Sequence, residues 1–295
     1  MTSLLVAGAT GSLGRAVVAA ALARKMSVRV LVRDPTRLPV ALRERVQVIV
    51  GDARDAAVAG TAVDGVERVF SCVGASVMPG LGFGWRGYGA VDWPANRVLI
   101  DAAVEARARR FVYVSVHHLP AMARVPYIAA HERVAAYLRH AAIGSAIVRP
   151  TGFFSAVGAY LDLARRGAIP EIGGGDARTN PIADEDLADV CIEAIVSDDA
   201  RQDIAAGGPD VMTRRQIGEL AFGALGATPR FRRVPTWLAR VGAAMLRPLH
   251  PRMSQVTSFI AALCAHDVVA PRMGSRRLID DFARRAGAAS RGVAP

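Results

Sequence analysis

Lysine is almost absent from these 295 residues: Lys25 stands alone among 37 basic side chains, so the net charge of +11 is carried by arginine. Cysteine is scarce too. Cys72, Cys191 and Cys264 are scattered and odd in number, which gives no disulfide framework and no metal-ligand spacing, and fits reduced thiols in a cytoplasmic setting. No run of eighteen or so uncharged apolar residues occurs, so no segment is expected to span a membrane. The apolar N-terminus lacks the basic flank of a signal peptide. Acids are missing between Leu220 and His266, and from Arg201 onward fifteen arginines face six acids. There is no internal repeat and no low-complexity linker. The remaining composition, 52% hydrophobic and 21% charged, supports a sizeable core and excludes global disorder.

The most informative stretch runs from Leu4 to Gly14. A short apolar run stops at Gly8, and Gly11 and Gly14 follow at three-residue spacing. From Ser12 a helical pattern begins, with Leu13, Val17, Val18, Ala21 and Leu22 on one face. Strand, glycine turn and helix start in this order make a dinucleotide-binding turn. Gly8 lets the chain turn, Gly11 lets a pyrophosphate approach the backbone, and Gly14 lets the helix pack closely on the strand. Thr10, Ser12 and Leu13 complete the turn, whose free N–H groups and helix dipole favour a phosphate.

Strand–helix alternation continues along the chain and predicts an α/β Rossmann fold, a doubly wound parallel sheet with its ligand at the carboxyl ends of the strands. Ser27–Arg33, Val46–Val50, Arg68–Val73, Arg110–Val116 and Gly144–Arg149 are the expected strands. Arg33 closes the second, nineteen residues beyond Gly14, with Arg37 one loop turn later. An acid at about that distance binds the ribose hydroxyls of NAD, whereas an arginine accommodates the 2′-phosphate of NADP. NADP(H) is therefore expected over NAD(H). Asp52, just past the third strand, either accepts a hydrogen bond from the adenine or caps the next short helix. Val73 and Gly74, at the end of the fourth strand, let the chain pass close to the cofactor. A glycine-rich loop from Ser76 to Gly89, with Phe83, Trp85 and Tyr88, is a lid or part of the substrate wall. Asp92–Arg107 is expected as a helix. Ser115 lies near the end of the fifth strand, Tyr127 twelve residues on, and His131 one helical turn beyond it.

These residues resemble the short-chain dehydrogenase/reductase superfamily in its atypical, NmrA-like branch. The carriers are Gly8 to Gly14, Val32-Arg33-Asp34, Gly51-Asp52, Val114-Ser115-Val116, Val148 to Phe153, Asn180-Pro181-Ile182 and Asp186 to Asp189. In family terms Ser115 and Tyr127 match the catalytic serine and tyrosine, and His131 stands where the family lysine should be. That lysine holds the nicotinamide ribose and lowers the tyrosine pKa. Lys25 closes the first helix and cannot substitute, so any proton donor works without an ammonium. The resemblance also implies that Pro150, Thr151, Gly152 and Phe153 lie near the nicotinamide. Three arrangements stay open: Tyr127 as the acid, with Ser115 on the substrate oxygen and His131 on the ribose; a histidine (His131, His117 or His118) as the proton source; or a site that binds cofactor without turnover.

Residues 1–152 are expected as the NAD(P)-binding Rossmann domain and 153–295 as a smaller, mainly helical substrate-binding region interleaved with it. Phe153–Arg166, Asp184–Val196 and Arg214–Leu225, the last capped by Thr213, are expected helices. In Pro235–Pro248, Trp237, Leu238, Val241, Ala244, Met245 and Leu249 share an apolar stripe, and Arg233, Arg240 and Arg247 recur every seven residues. The favoured expectation is a helix closing over the substrate pocket with its arginines in water; weak contact of 235–250 with a membrane surface is the other. No nucleic-acid-binding module accompanies the positive charge, so no nucleic-acid partner is expected. The expected function is NADPH-dependent hydride transfer to a small apolar carbonyl, imine or activated alkene. A non-enzymatic NADP(H) sensor or scaffold, and a peripheral membrane reductase of a lipid or isoprenoid, are the alternatives.

Overall fold

Strands buried on both faces need nearly continuous apolar sequence, and β1 (Ser3–Ala7) has it: Leu4, Leu5, Val6 and Ala7 are all fully buried. The computed structural model describes residues 2–75, 77 and 84–291. After β1 come β2 (Ser27–Val32), β3 (Gln47–Val50), β4 (Arg68–Ser71), β5 (Arg110–Val114), β6 (Gly144–Pro150), β7 (Ile169–Ile172), β8 (Arg178–Thr179), β9 (Arg201–Ala206), β10 (Met212–Thr213) and β11 (Phe231–Val234). Seven of them form a sheet in the order β3-β2-β1-β4-β5-β6-β9, every pair parallel. Both β4 and β5 stop two residues before the ends expected from sequence.

The helices are α1 (Ser12–Ala23), α2 (Val40–Arg43), α3 (Ala56–Val63), α4 (Asp92–Glu105), α5 (Pro126–His140), α6 (Phe154–Val157), α7 (Ala159–Arg165), α8 (Asp184–Val196), α9 (Arg214–Ala224), α10 (Thr236–Leu249), α11 (Pro251–Ala265) and α12 (Leu278–Arg291). Alternate strand residues divide between two cores. Leu4, Val6, Val30, Phe70 and Val112 pack with Val17, Leu187 and Ile195 of α1 and α8. Leu5, Ala7, Val69, Phe111 and Tyr113 pack with Leu99, Ala103, Val134 and Leu138 of α4 and α5, where α3 also lies. Each fully buried Val, Leu, Ile or Phe among them contributes about 1.5–3 kcal/mol by burial.

Two buried arginines fasten α8 beneath the sheet. Arg68 donates to the Ile195 carbonyl (2.5 Å) and Arg110 to that of Ala194 (2.5 Å). They satisfy carbonyls that the last turn of α8 leaves open, and their charge suits the negative end of its dipole. The chain thus returns to the main sheet with α8 and β9 after leaving it at β6. The smaller region holds the pairs β7–β11 and β8–β10, and α9 to α12, none of which except α9 and α10 is expected from the sequence pattern. The helix expected over Phe153–Arg166 is broken into α6 and α7 at Gly158, where a Cβ would stand 2.6 Å from the Arg285 guanidinium. Thr213 does cap α9, in a reciprocal capping box with Gln216.

Candidate dinucleotide and substrate site

Each glycine of the first turn has a local reason. Gly8 has φ +93°, and a Cβ there would lie 2.8 Å from Cys72 Sγ. A Cβ on Gly14 would lie 2.2 Å from the Gly8 carbonyl oxygen, so only glycine lets α1 sit this close to β1. Gly11 is the N-cap and donates its N–H to Gly8 O (3.1 Å). It brings no side-chain cap, and the first turn of α1 carries no acid. The leading N–H groups of Ser12, Leu13 and Gly14 therefore face the loop without a side-chain acceptor, a cradle that fits a dinucleotide diphosphate. Leu13 contributes backbone only, its side chain being buried in the core. Thr10 is half-buried in the turn. Ser12 Oγ lies 2.7 Å from Ser155 Oγ, and Ser155 is held by Asp184 through its hydroxyl (2.6 Å) and N–H (2.9 Å). Neither Ser155 nor Asp184 has a sequence signal, because Ser155 is 143 residues from Ser12 and Asp184 a further 29 along, and both are delivered by the fold.

At the ends of β2 and β3, Arg33 is exposed and close enough to Asp52 to help hold its carboxyl below the usual range. The larger cause is Arg54, which grips Asp52 with Nε (3.0 Å), Nη2 (2.6 Å) and its backbone N–H (2.9 Å). Asp52 therefore does not cap α3; Asp55 does, accepting from Ala57 and Val58 N–H. Asp34, the acid nearest Arg33, is turned onto Thr36 N–H (3.0 Å) and Oγ1 (2.6 Å). Arg15 of α1 reaches the Arg37 carbonyl (3.1 Å). Arg15, Arg33, Arg37 and Arg54 thus lie about the ends of β2 and β3.

Beyond the carboxyl end of β4, Val73 and Gly74 run over the start of α4. Asn96 donates to the Val73 and Asp92 carbonyls (2.9 and 2.8 Å) and accepts from Ser71 Oγ (2.6 Å). A Cβ on Gly74 would be 3.4 Å from Asp92 Oδ2. Asp92 is fully buried; Oδ1 accepts from Ala75 N–H (2.7 Å), and Oδ2 has no hydrogen-bond partner among the described residues. Burial pushes its carboxyl up to about 7, against the opposing Ala75 bond and the charge of Arg252. Pro150 accepts from His117 N–H (2.9 Å), Thr151 Oγ1 donates to the Asn180 carbonyl (2.7 Å), Gly152 accepts from Ile182 N–H (2.9 Å), and Phe153 bridges to Ile182.

His131 faces inward. Its Nδ1 is 2.7 Å from the Tyr113 hydroxyl and its Nε2 is 3.9 Å from Asp92 Oδ2. Burial pushes its pKa down to about 4, so the ring is neutral near pH 7. That makes it a poor proton source. Tyr127 lies against it at 4.6 Å between ring centroids, with Tyr88 at 4.7 Å and Phe259 at 4.3 Å. Burial, then the nearby Asp92 and Tyr88, raise the Tyr127 phenol above its ordinary range. Among the described residues no cation is set against the Tyr127 phenol as the family lysine would be; the buried Arg252 guanidinium lies over the Tyr88 ring instead, 5.9 Å from its centroid. The nearest strong cation to Ser115 is Arg149, whose Nη1 is 3.4 Å from Ser115 Oγ, but it is ion-paired with Glu132 and with Asp203 (2.5 Å). His118 also faces Glu132 (3.4 Å), and His117 faces the Val269 carbonyl (3.2 Å).

The structure gathers Tyr127, His131 and Tyr88 into one aromatic group and adds Asp92, Tyr113 and Phe259, which sequence reasoning passed over. The signal for Asp92 and Asn96 was present: two polar residues one turn apart on the otherwise apolar face Ala95-Leu99-Ala103. Of the loop read as a lid, Ser76 and Phe83 lie outside the described residues; Trp85 is exposed and Tyr88 fully buried. A separate open groove of about 560 Å³, lined by Asp186, Asp189, Glu193, Gln202 and Met273, lies beside α8 and β9 and holds none of the expected site residues.

A family model described as NAD(P)H-binding matches residues 8–198. Divinyl chlorophyllide a 8-vinyl-reductase, chloroplastic, of Zea mays is 31% identical over 253 residues, covering 79% of this chain and 62% of that protein. The chain therefore spans about three fifths of the length of that relative. Photosystem II assembly factor Ycf39 of Trieres chinensis is 23% identical over 249 residues, covering 81% of this chain and 74% of that one. Among solved structures, Citrobacter sp. triphenylmethane reductase complexed with NADP(H) shares the fold with a TM-score of 0.72, over 97% of this chain and 100% of that one, at 15% identity.

Proposed function

The chain belongs to the NAD(P)H-binding family, in the NmrA-like branch of the short-chain dehydrogenase/reductases, and from that premise we propose that it is an NADPH-dependent reductase of an apolar small molecule activated by conjugation. A bound nicotinamide would supply a hydride to one carbon of the acceptor, and a proton drawn from solvent would complete the reduction. The glycine turn would hold the diphosphate, and the exposed Arg33 would hold the 2′-phosphate through charge-assisted hydrogen bonds, with Arg54 keeping Asp52 engaged.

The observation that carries the reading is the aromatic group of Tyr88, Tyr127, His131 and Phe259 around a phenol that no cation acidifies. Of these rings only Tyr127 is partly exposed, and its face, backed by the others, is the surface an apolar, flat acceptor would meet. Tyr127 stays protonated and offers a hydrogen bond, Ser115 offers a second, and neutral His131 fixes the ring of Tyr127 from below. An uncharged donor stabilises a localised alkoxide poorly, whereas an acceptor whose adduct spreads its charge over a conjugated system needs less help. A conjugated double bond or quinone is therefore favoured over a simple ketone. The Zea mays relative, an 8-vinyl-reductase, is consistent with that class.

NADPH oxidation with a panel of quinones, enones and vinyl arenes tests this. Turnover of a conjugated acceptor is expected, with kcat roughly hundredfold lower in Tyr127→Phe and NADPH binding unchanged. Tight NADPH binding with no turnover across the panel would instead support a non-enzymatic cofactor-binding role. That second reading is favoured by the lost lysine and by the likeness to an assembly factor.

A further inference from the structure

We propose that α10 is the element by which the protein lies on an anionic lipid surface. The sequence pattern favours a stripe turned onto the substrate pocket; the structure turns it outward. With about 100° between successive helical residues, Ala239 and Ala243 fall on one side of α10, are buried, and let it rest on α11. Trp237, Leu238, Val241, Met245 and Leu249 fall on the opposite side and are 61%, 47%, 46%, 70% and 67% exposed. Four of them recur at four-residue spacing and make a continuous ridge along fourteen residues, roughly 21 Å of helix. Single exposed apolar side chains are ordinary, but a contiguous ridge marks an interaction surface.

Charge identifies the partner. Arg240 and Arg247 run along one border of the ridge, and Arg230, Arg232 and Arg233 are exposed on the segment that leads into it. No Asp or Glu between Leu220 and His266 offsets them. Trp237 stands in the first turn. Trp85, 58% exposed, stands at the other end with its ring 5.3 Å from that of His250. Indoles at both ends, aliphatic side chains between and arginines on the flank describe a helix lying in the headgroup plane. A second copy of the chain fits the ridge less well. A two-fold contact sets the same patch face to face and would bring Arg240 and Arg247 toward their own copies with no carboxylate to answer them.

The ridge is one helix removed from the candidate site. On α11, Phe259 meets the Tyr127 ring at 4.3 Å, and Val256 packs with Tyr88 and Ala130.

Co-sedimentation with phosphatidylcholine vesicles, alone or mixed with phosphatidylglycerol, tests the docking without cofactor or substrate, so its outcome is independent of the turnover assay. The wild-type chain is expected to bind the phosphatidylglycerol vesicles, weakly at high salt, and the neutral ones little. The pairs Val241→Glu/Met245→Glu and Arg240→Glu/Arg247→Glu are expected to lower binding about tenfold each, with thermal unfolding and NADPH binding unchanged as the control for folding. Absence of vesicle binding, or binding that both pairs leave intact, overturns the proposal. So does a wild-type dimer that ignores vesicles and dissociates in Val241→Glu/Met245→Glu, which would make the occupant a second copy.

Discussion

Burial, more than residue type, sets the charge at the position where a lysine is expected. Asp92 is pushed up to about 7 from 3.8, and His131 down to about 4 from 6.5, in both cases chiefly by loss of water. The two contribute to stability with opposite sign. Folding favours the protonated Asp92, so its contribution is complete below about pH 4 and is lost as pH rises through about 7. Folding favours the neutral His131, so that contribution is present above about pH 6.5 and is lost as pH falls through about 4. Asp92→Asn keeps an acceptor for Ala75 N–H and removes only the first of these. The variant is expected to gain stability relative to the parent as pH rises from about 5 to 8, by on the order of 2–4 kcal/mol, measured by urea unfolding at each pH. A difference that stays flat across this range would mean Asp92 is ionised in the fold throughout.

Elements whose logic is local were legible in the sequence. The turn from β1 to α1 was, since Gly8 needs its own φ and a Cβ on Gly14 would meet the backbone of Gly8 and Ala9, six and five residues away. What long-range topology delivers was not: Arg54 gripping Asp52, Ser155 on Ser12, Asp92 beside His131. For α10 the stripe was visible, but not which side packs, because small residues can turn either face inward. Arg33 sits between these cases, placed by its distance from Gly14 yet given meaning by Arg54 and by the diversion of Asp34 onto Thr36. Arg33→Asp is expected to weaken NADPH by about ten- to a hundredfold, the loss of a charge-assisted contact of roughly 1.5–3 kcal/mol, and to leave NADH nearly unchanged. Calorimetric titration of both cofactors measures this, and an equal loss for both would remove Arg33 from the 2′-phosphate.

Across the whole molecule polar ties join the sheet to the C-terminal region at both ends of its strands, through Arg68 and Arg110 at the amino ends and through a second set on the glycine-turn side. Ser12 reaches Ser155 and Asp184. Asn180 accepts from Ala270 N–H (3.0 Å) and donates to the Ala270 and Gly208 carbonyls. Asp186 accepts the N–H groups of Ser275 (2.7 Å) and Arg276 (2.8 Å). The segments that resemble the family beyond residue 178 therefore hold the chain's last stretch against α8 as much as they shape a site. Such coupling is expected to make the sheet and the smaller region one cooperative unit, so that a ligand at the glycine turn would stabilise both. At NADPH a hundredfold above its Kd the gain is about 2.7 kcal/mol, which for a chain of this length raises the midpoint by about 4 °C. Calorimetry is expected to show a single transition that moves upward as a whole, and Ser155→Ala, by cutting the bridge from Ser12, to broaden or split it. Two transitions in the parent chain, with NADPH moving only one, would show that the regions unfold independently and that the polar ties between them are too weak to couple them.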